Sequence, residues 1–213
     1  MEIVNNVMDK LKPGTAAVVY VTPKLSENGG SLENSNFVLT HVIQQPFHSM
    51  NLAEVQAKIG EKFVLLTELA GGYKFSEAYV DYQEKRDFNA DALKAEAEKN
   101  MKELIVKELL LTDVLKESTF FYKGEKGKVM VQVRNEEGVG DKISTVGSFD
   151  KMEKVKVREN EAAYLLWDHD KVYSQQIEWL KNGTKLSYSV MTRSKDVTKE
   201  QLIKIAESLY DVK

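Results

Sequence analysis

The sequence predicts an α+β fold, an antiparallel sheet with amphipathic helices covering one face. Three observations predict it. Apolar residues alternate with period two over several short stretches, the strongest being Val129, Val131 and Val133. Glycine-bearing turns separate those stretches. Other segments carry apolar residues at helical spacing behind capping residues. Residues 1–213 contain no fixed-period repeat and no linker rich enough to divide them, so a single domain is expected.

Ile3, Val4, Val7, Met8 and Leu11 recur at helical spacing, and Pro13-Gly14 ends that helix. Val18 to Val21 reads as a buried strand. The polar stretch 24–36 reads as a loop around Gly29-Gly30, and Phe37 to Ile43 as a second strand pairing with the first. Asn51 followed by Glu54 predicts a capping box, with Met50 and Val55 as its hydrophobic staple. Gly60 supplies the stop for that helix. Phe63 to Leu66 and Tyr73 to Tyr82 follow as strands. From Asp91 to about Leu110, the spacing of Leu93, Ala97, Met101, Leu104 and Ile105 predicts one long helix. Thr119 to Tyr122 and Lys128 to Arg134 form a hairpin about Gly124 to Gly127, residues 135–150 a loop, and Val155 and Val157 a short strand.

The last third is the most legible. Ala163, Leu165 and Trp167 alternate into a turn at Asp168-His169-Asp170, and the next strand runs from Val172 to Lys181. Asn182-Gly183 suits a two-residue type I′ turn, which would set Lys181 opposite Thr184, Trp179 opposite Leu186 and Ile177 opposite Tyr188. The large apolar side chains then share one face. Gln176, Glu178, Ser187 and Ser189 take the other, leaving one covered side and one wet side. Thr198 and Gln201 form a second capping box, Val197 can staple to Leu202, and Leu202, Ile205, Ala206 and Leu209 are the buried stripe.

Composition narrows the function classes. With 42% hydrophobic and 30% charged residues the chain is too apolar to be disordered. Its formal charge is −3, and lysines such as Lys123, Lys126 and Lys128 are interleaved with Glu125, so no nucleic-acid footprint is expected. There are no cysteines, which removes disulfides, thiolate metal sites and cysteine nucleophiles, and which suits an exported protein of a Gram-positive bacterium. The strongly apolar run Gly14 to Thr22 is too short to span a membrane, and Met1-Glu2-Ile3 opens no signal peptide. Either the protein is cytoplasmic, or an export signal or anchor lies outside the chain.

No motif announces catalysis. His41, His48 and His169 lack a second histidine at metal-binding spacing, and Asp168-His169-Asp170 reads as a solvated turn. Gly147-Ser148 lacks the second glycine of a nucleophile elbow, and Gly138-Val139-Gly140 lacks the rest of a phosphate loop. Glu136-Glu137, and Glu159 with Glu161, sit in polar surroundings that would not shift a carboxyl pKa. Asn182-Gly183-Thr184 matches a glycosylation sequon but is the hairpin turn. No catalytic residue, metal site or cofactor is expected. The candidate binding residues are aromatic: Tyr164, Trp167, Tyr173, Trp179 and Tyr188, which would line an apolar concavity if the helices leave one face of the sheet open.

Ile177-Glu178-Trp179, Asn182-Gly183, Leu186-Ser187-Tyr188 and the terminal helix from Thr198 to Leu209 resemble the C-terminal part of an uncharacterised domain family of Gram-positive bacteria. Its members sit outside the membrane, in lipoproteins and in anti-sigma-factor-like membrane proteins. Leu66 to Tyr82 is similar to that family's opening strand. The resemblance makes residues 1–48 an extension and 89–151 an insertion, and implies export, membrane anchoring outside the chain, and no catalytic residues. The expected function is thus a non-catalytic extracytoplasmic binding or sensing domain of a membrane-anchored regulator or lipoprotein, acting on a protein partner. The alternative is a carrier of a lipid, lipopeptide or other small apolar ligand on an open sheet face.

Overall fold

A computed structural model describes residues 2–22, 40–136, 149–169 and 172–210. In chain order the elements begin α1 (Glu2–Met8), β1 (Thr15–Val21), β2 (Thr40–Gln45), β3 (Phe47–Ser49), α2 (Leu52–Ile59), β4 (Glu68–Leu69) and β5 (Tyr73–Glu84). Next come α3 (Ala90–Lys99), β6 (Leu104–Leu109), β7 (Leu111–Gly124) and β8 (Gly127–Asn135). The last are β9 (Lys151–Val157), β10 (Asn160–His169), β11 (Val172–Leu180), β12 (Leu186–Thr192) and α4 (Lys199–Ser208). The fold is α+β with antiparallel sheets and few, short helices. It comprises two compact units, Met1–Phe47 with Tyr82–Val114, and His48–Asp81 with Leu115–Lys213.

The first unit is a three-stranded sheet in the order β2-β1-β6, both pairings antiparallel. Ala16, Val18 and Tyr20 of β1 pack with Leu93 and Ala97 of α3, while Ala17 and Val19 pack with Val4, Val7 and Met8 of α1. Burial on both faces is why β1 reads as an unbroken apolar run rather than an alternation. The expected pairing of the first two strands is present, with Val18 opposite Val42. Residues 24–36, and Phe37 to Leu39 of the expected second strand, lie outside the described residues.

The single helix expected from Asp91 to Leu110 is instead α3 followed by strand β6. Asn89 caps α3 by accepting from the backbone N–H groups of Asp91 and Ala92. The helix ends at Asn100, and Met101 turns the chain with φ 50°. Lys102 N–H then donates to the Ala97 carbonyl and Met101 N–H to the Glu98 carbonyl, a Schellman closure made without glycine. Beyond it Leu104 and Ile105 lie in different clusters, Ile105 with α3 and Leu104 with α1. Their helical spacing from Ala97 is a coincidence of a helix stripe followed by a two-faced strand.

The second unit is built on the sheet β3-β5-β7-β8-β12-β11-β10-β9, with β4 paired to β5. The β7–β8 hairpin closes at Gly124 opposite Gly127. A Cβ at Gly124 would stand 2.8 Å from the Tyr73 ring, so only glycine lets that ring lie flat there. The chain then passes from β8 to the far edge, and the meander β9 to β12 brings it back beside β8.

The registers align two apolar rows across these strands. Tyr164, Ile177, Val190, Val131 and Phe120 form one, and Ala162, Trp179, Tyr188, Val133 and Ser118 the next. Every member of both is buried. Helix α4 packs against β9, β11 and β12 with Leu202, Ile205 and Ala206 buried. Its capping box at Thr198 and Gln201 is complete in both directions. Trp179, 0% exposed, stacks on its cross-strand neighbour Tyr188 at 5.5 Å between ring centroids. Its indole N–H donates to the Tyr210 hydroxyl at 2.8 Å, and that oxygen also accepts from Asn160 Nδ2 at 3.0 Å.

Three local readings give way here. Phe63 to Leu66 is not a strand, because the Gln56 side chain takes its backbone hydrogen bonds. Gln56 Nε2 donates to the Gly60 and Phe63 carbonyls at 2.7 and 3.2 Å, and its Oε1 accepts from Leu65 N–H at 2.8 Å. At α2 the Asn51 carboxamide caps Ala53 and Glu54 as expected, but the Glu54 carboxylate accepts from the Ser49 hydroxyl at 2.7 Å rather than from Asn51. Met50 is 69% exposed, so no staple forms with Val55. The last hairpin is not a two-residue type I′ turn. Gly183 alone has positive φ, Thr184 N–H donates to Lys181, and Lys181 N–H donates to Leu186. Trp179 therefore lies opposite Tyr188 and Ile177 opposite Val190. The slip is an even number of residues, so each side chain keeps its predicted face.

Both tryptophans belong to the second unit, so fluorescence reports its unfolding separately. Tyr210→Phe leaves the buried Trp179 N–H without an acceptor and should lower that unit's stability by about 1–3 kcal/mol in urea titrations. Tyr173→Phe, at a partly exposed ring, should change it by less than about 0.5 kcal/mol.

Candidate functional site

The five aromatic residues singled out above do not converge. Tyr164, Trp179 and Tyr188 are buried on the covered face, and Tyr188 borders one small recess. Burial raises the Tyr188 hydroxyl to a pKa of about 12 and pushes Tyr164 up as well. The Tyr164 hydroxyl donates to Gln175 Oε1 at 3.2 Å. The Gln175 amide in turn donates to the Val197 and Ser194 carbonyls, which ties the strand to the loop before α4. Trp167 lies on the other face, edge-on to Phe149 at 4.7 Å. Tyr173 is partly exposed beneath Lys195, whose Nζ stands 4.9 Å from the ring centroid.

The titratable groups pair locally. Glu153 bonds to Lys151 and, at 2.7 Å, to Lys199; both ammonium groups hold its carboxyl below the usual range. Glu153 in turn raises Lys199. His169 meets Asp150 at 2.9 Å, and Asp168 meets Lys195 at 2.9 Å. His48 stacks on Tyr79 at 4.4 Å and meets Glu77 at 3.3 Å. Among the described residues no three His, Asp or Glu side chains are placed to hold a metal. Asp170, Glu137, Gly138-Val139-Gly140 and Gly147-Ser148 lie outside the described residues.

The second face of the sheet carries a different pattern. Register sets Met152, Leu165, Gln176, Met191, Met130 and Phe121 side by side across six strands. Tyr79 continues the row edge-on to Phe121 at 6.1 Å, and His48 stacks on Tyr79. Exposure is uneven along it: Met152 is 62% exposed, its neighbour Leu165 is buried, and the Met191, Met130 and Phe121 stretch is half-buried. Polar neighbours are already engaged. Gln176 donates to Glu178 at 3.0 Å, Gln132 to Glu117 at 2.6 Å, and Ser187 to Glu136 at 2.6 Å. What the row offers is apolar contact through adaptable methionines beside aromatic rings. The alternation of Met130 against Val129 and Val131 was visible in the sequence. The alignment of both methionines with Phe121 and Leu165 depends on strand register, which was not.

Among the described residues, two of the recesses lie on the second unit. One, of about 260 Å³, lies between Gly71 and Tyr73, the β7–β8 turn at Glu125-Lys126, and Gln201 and Lys204 of α4. The Tyr73 hydroxyl is buried with no hydrogen-bond partner among the described residues. The other, of about 230 Å³, lies beneath residues 61–66, with Phe120, Tyr122, Val131, Val133 and Tyr188 of the sheet among its lining. Both fall below the roughly 300–1,000 Å³ of sites for drug-sized ligands.

A comparison with family models covers the strands from β7 onward and α4. Residues 115–209 match a domain of unknown function, DUF4367. The match to DUF4367 takes in the terminal hairpin and helix on which the resemblance was seen. It also includes the β7–β8 hairpin, placed above in an insertion, and it does not reach Leu66 to Tyr82. No curated protein and no solved structure matches the chain.

The lowered Glu153 carboxyl gives a signed pH effect. A carboxyl depressed in the folded state contributes stability above its unfolded pKa, about 4.3, and loses it as pH falls through the folded value. Urea midpoints of Glu153→Gln and the parent should therefore differ at pH 7 and converge as pH drops below about 4. Salt should shrink the difference, because the pair is solvent-exposed.

Proposed function

We propose that the second unit is a non-catalytic binding or sensing domain whose contact surface is the apolar row on the second face of its sheet. One observation carries this reading. Met130, Met191, Phe121 and Tyr79 lie in one line on a face that α4 does not cover, beside polar groups already bonded to one another. A partner that meets this line gains apolar burial without having to desolvate an unpaired charge. Methionine side chains repack at small cost against different surfaces, which suits a domain that recognises a polypeptide segment. The rows under α4 are filled by the protein's own side chains and offer no comparable surface.

The setting we propose is extracytoplasmic, in a membrane-anchored regulator or lipoprotein. Its supports are the cysteine-free composition and the resemblance of the C-terminal segment to domains placed outside the membrane. Among the described residues no helix is long and apolar enough to cross a membrane. The carrier alternative is favoured less. A lipid or lipopeptide needs a pocket of several hundred Å³, and both recesses described above are smaller.

A photoreactive amino acid at Met191, installed in the native host, tests the surface. A discrete protein adduct is expected at Met191, lost when Met130→Glu is added and absent when the probe replaces exposed Val106 of the first unit. Equal labelling from both probe positions, or an adduct indifferent to Met130→Glu, would contradict the proposal. Fractionation of the same cells should find the protein outside the cytosol, and a cytosolic pool would overturn the setting.

A further inference from the structure

Residues Phe63-Val64-Leu65-Leu66 are four consecutive apolar residues in no strand or helix. Such a segment is costly to leave irregular unless its backbone finds other partners. It finds three of them in side chains: Gln56 bonds to the Phe63 carbonyl and the Leu65 N–H, and the Tyr122 hydroxyl donates to the Leu66 carbonyl at 3.1 Å. The segment does not collapse onto the sheet. Phe63 meets Phe120 edge-on at 5.3 Å, and between segment and strands there remains the recess of about 230 Å³. Phe120, Tyr122, Val131, Val133 and Tyr188 line it from the sheet, and Glu61, Lys62 and Lys181 stand at its edge.

We propose that this recess holds a short aliphatic chain with an anionic head, and that residues 61–66 form its lid, latched by Gln56. Volume selects the chain length. The space equals roughly eight waters of liquid, enough for a medium aliphatic tail and too small for a diacyl lipid. Charge selects the head, because Lys181 brings an ammonium group to the edge. The latch explains how a buried floor is reached. Gln56 stands on α2, whose buried residues Val55 and Ile59 anchor it, so the lid can swing from Gly60, a glycine with φ 65°. This site is separate from the second-face row, and neither depends on the other.

The test is methyl and backbone NMR of the whole chain titrated with sodium octanoate and, in parallel, with octanol. Octanoate should shift Val64, Val131, Val133 and Leu209 in a saturable way below about 1 mM, the weak end of specific binding. Octanol should shift the same signals. Lys181→Gln should weaken octanoate several-fold and leave octanol unchanged. Val64→Trp, at a side chain 50% exposed on the lid, should abolish both without unfolding the unit. Gln56→Leu removes the latch and should speed exchange of the ligand by about tenfold, the size of one or two lost hydrogen bonds. No shifts at these residues, or shifts centred on Met130 and Met191, would overturn the proposal. So would a Val64→Trp protein that keeps its fold and its octanoate shifts.

Discussion

Trp179 holds the second unit together. Its ring is the largest fully buried side chain there, and it is stacked on Tyr188 from the neighbouring strand. An indole buried so completely needs an acceptor for its one donor, and water cannot reach it. The acceptor is the hydroxyl of Tyr210, just past the end of α4. That hydroxyl also accepts from Asn160, whose own carbonyl oxygen accepts from Asn182 N–H at 2.9 Å in the last hairpin turn. The Tyr210 hydroxyl and the Asn160 side chain together therefore tie the exit of α4, the entry to β10 and the β11–β12 turn. The helix can roof the sheet in this orientation only because its far end is tied there, while Thr198 and Gln201 fix its beginning.

The two faces of the sheet consequently differ in role. Under α4 the side chains interlock across five strands, and the buried polar groups are mostly turned inward to partners, as Gln175 is to Tyr164 and Val197. On the reverse, register lines up methionines and aromatics on the side away from α4. A sheet stabilised from one side can leave its second face to recognition, since substitutions there cost little packing. The same economy applies to the irregular segment 61–66. Its backbone is held by Gln56 and Tyr122 rather than by a neighbouring strand.

Much of this was legible from residue patterns, and the failures share a physical cause. Period-two alternation placed β8, β10, β11 and β12, and it assigned Trp179, Ile177 and Tyr188 to the same side correctly. Capping chemistry found α2 and α4. The reading failed where a side chain or an unusual backbone replaced the expected punctuation. Met101 adopts the left-handed conformation that glycine marks in most helix stops, so α3 and β6 looked continuous. Gln56 reaches nine residues ahead to Leu65, and no local pattern signals that. Asn182-Gly183 suited a tight turn, but the clasp from Asn160 favours a longer loop. The aromatic cluster was noticed, yet whether it faced a helix or solvent depends on the side α4 covers. Alternation identifies two faces without saying which one is roofed.

The account rests on Trp179 being sealed beneath α4 while the methionine row of the opposite face stays in contact with solvent. Paramagnetic broadening by a soluble gadolinium chelate reads both at once, in protein carrying labelled methionine methyls and indole nitrogens. The Met152 methyl should broaden strongly, those of Met130 and Met191 partly, and the Trp179 indole signal should remain sharp. A Trp179 signal that broadens as readily as Met152 would mean that the covered face is open, and the assignment of the two faces would be wrong.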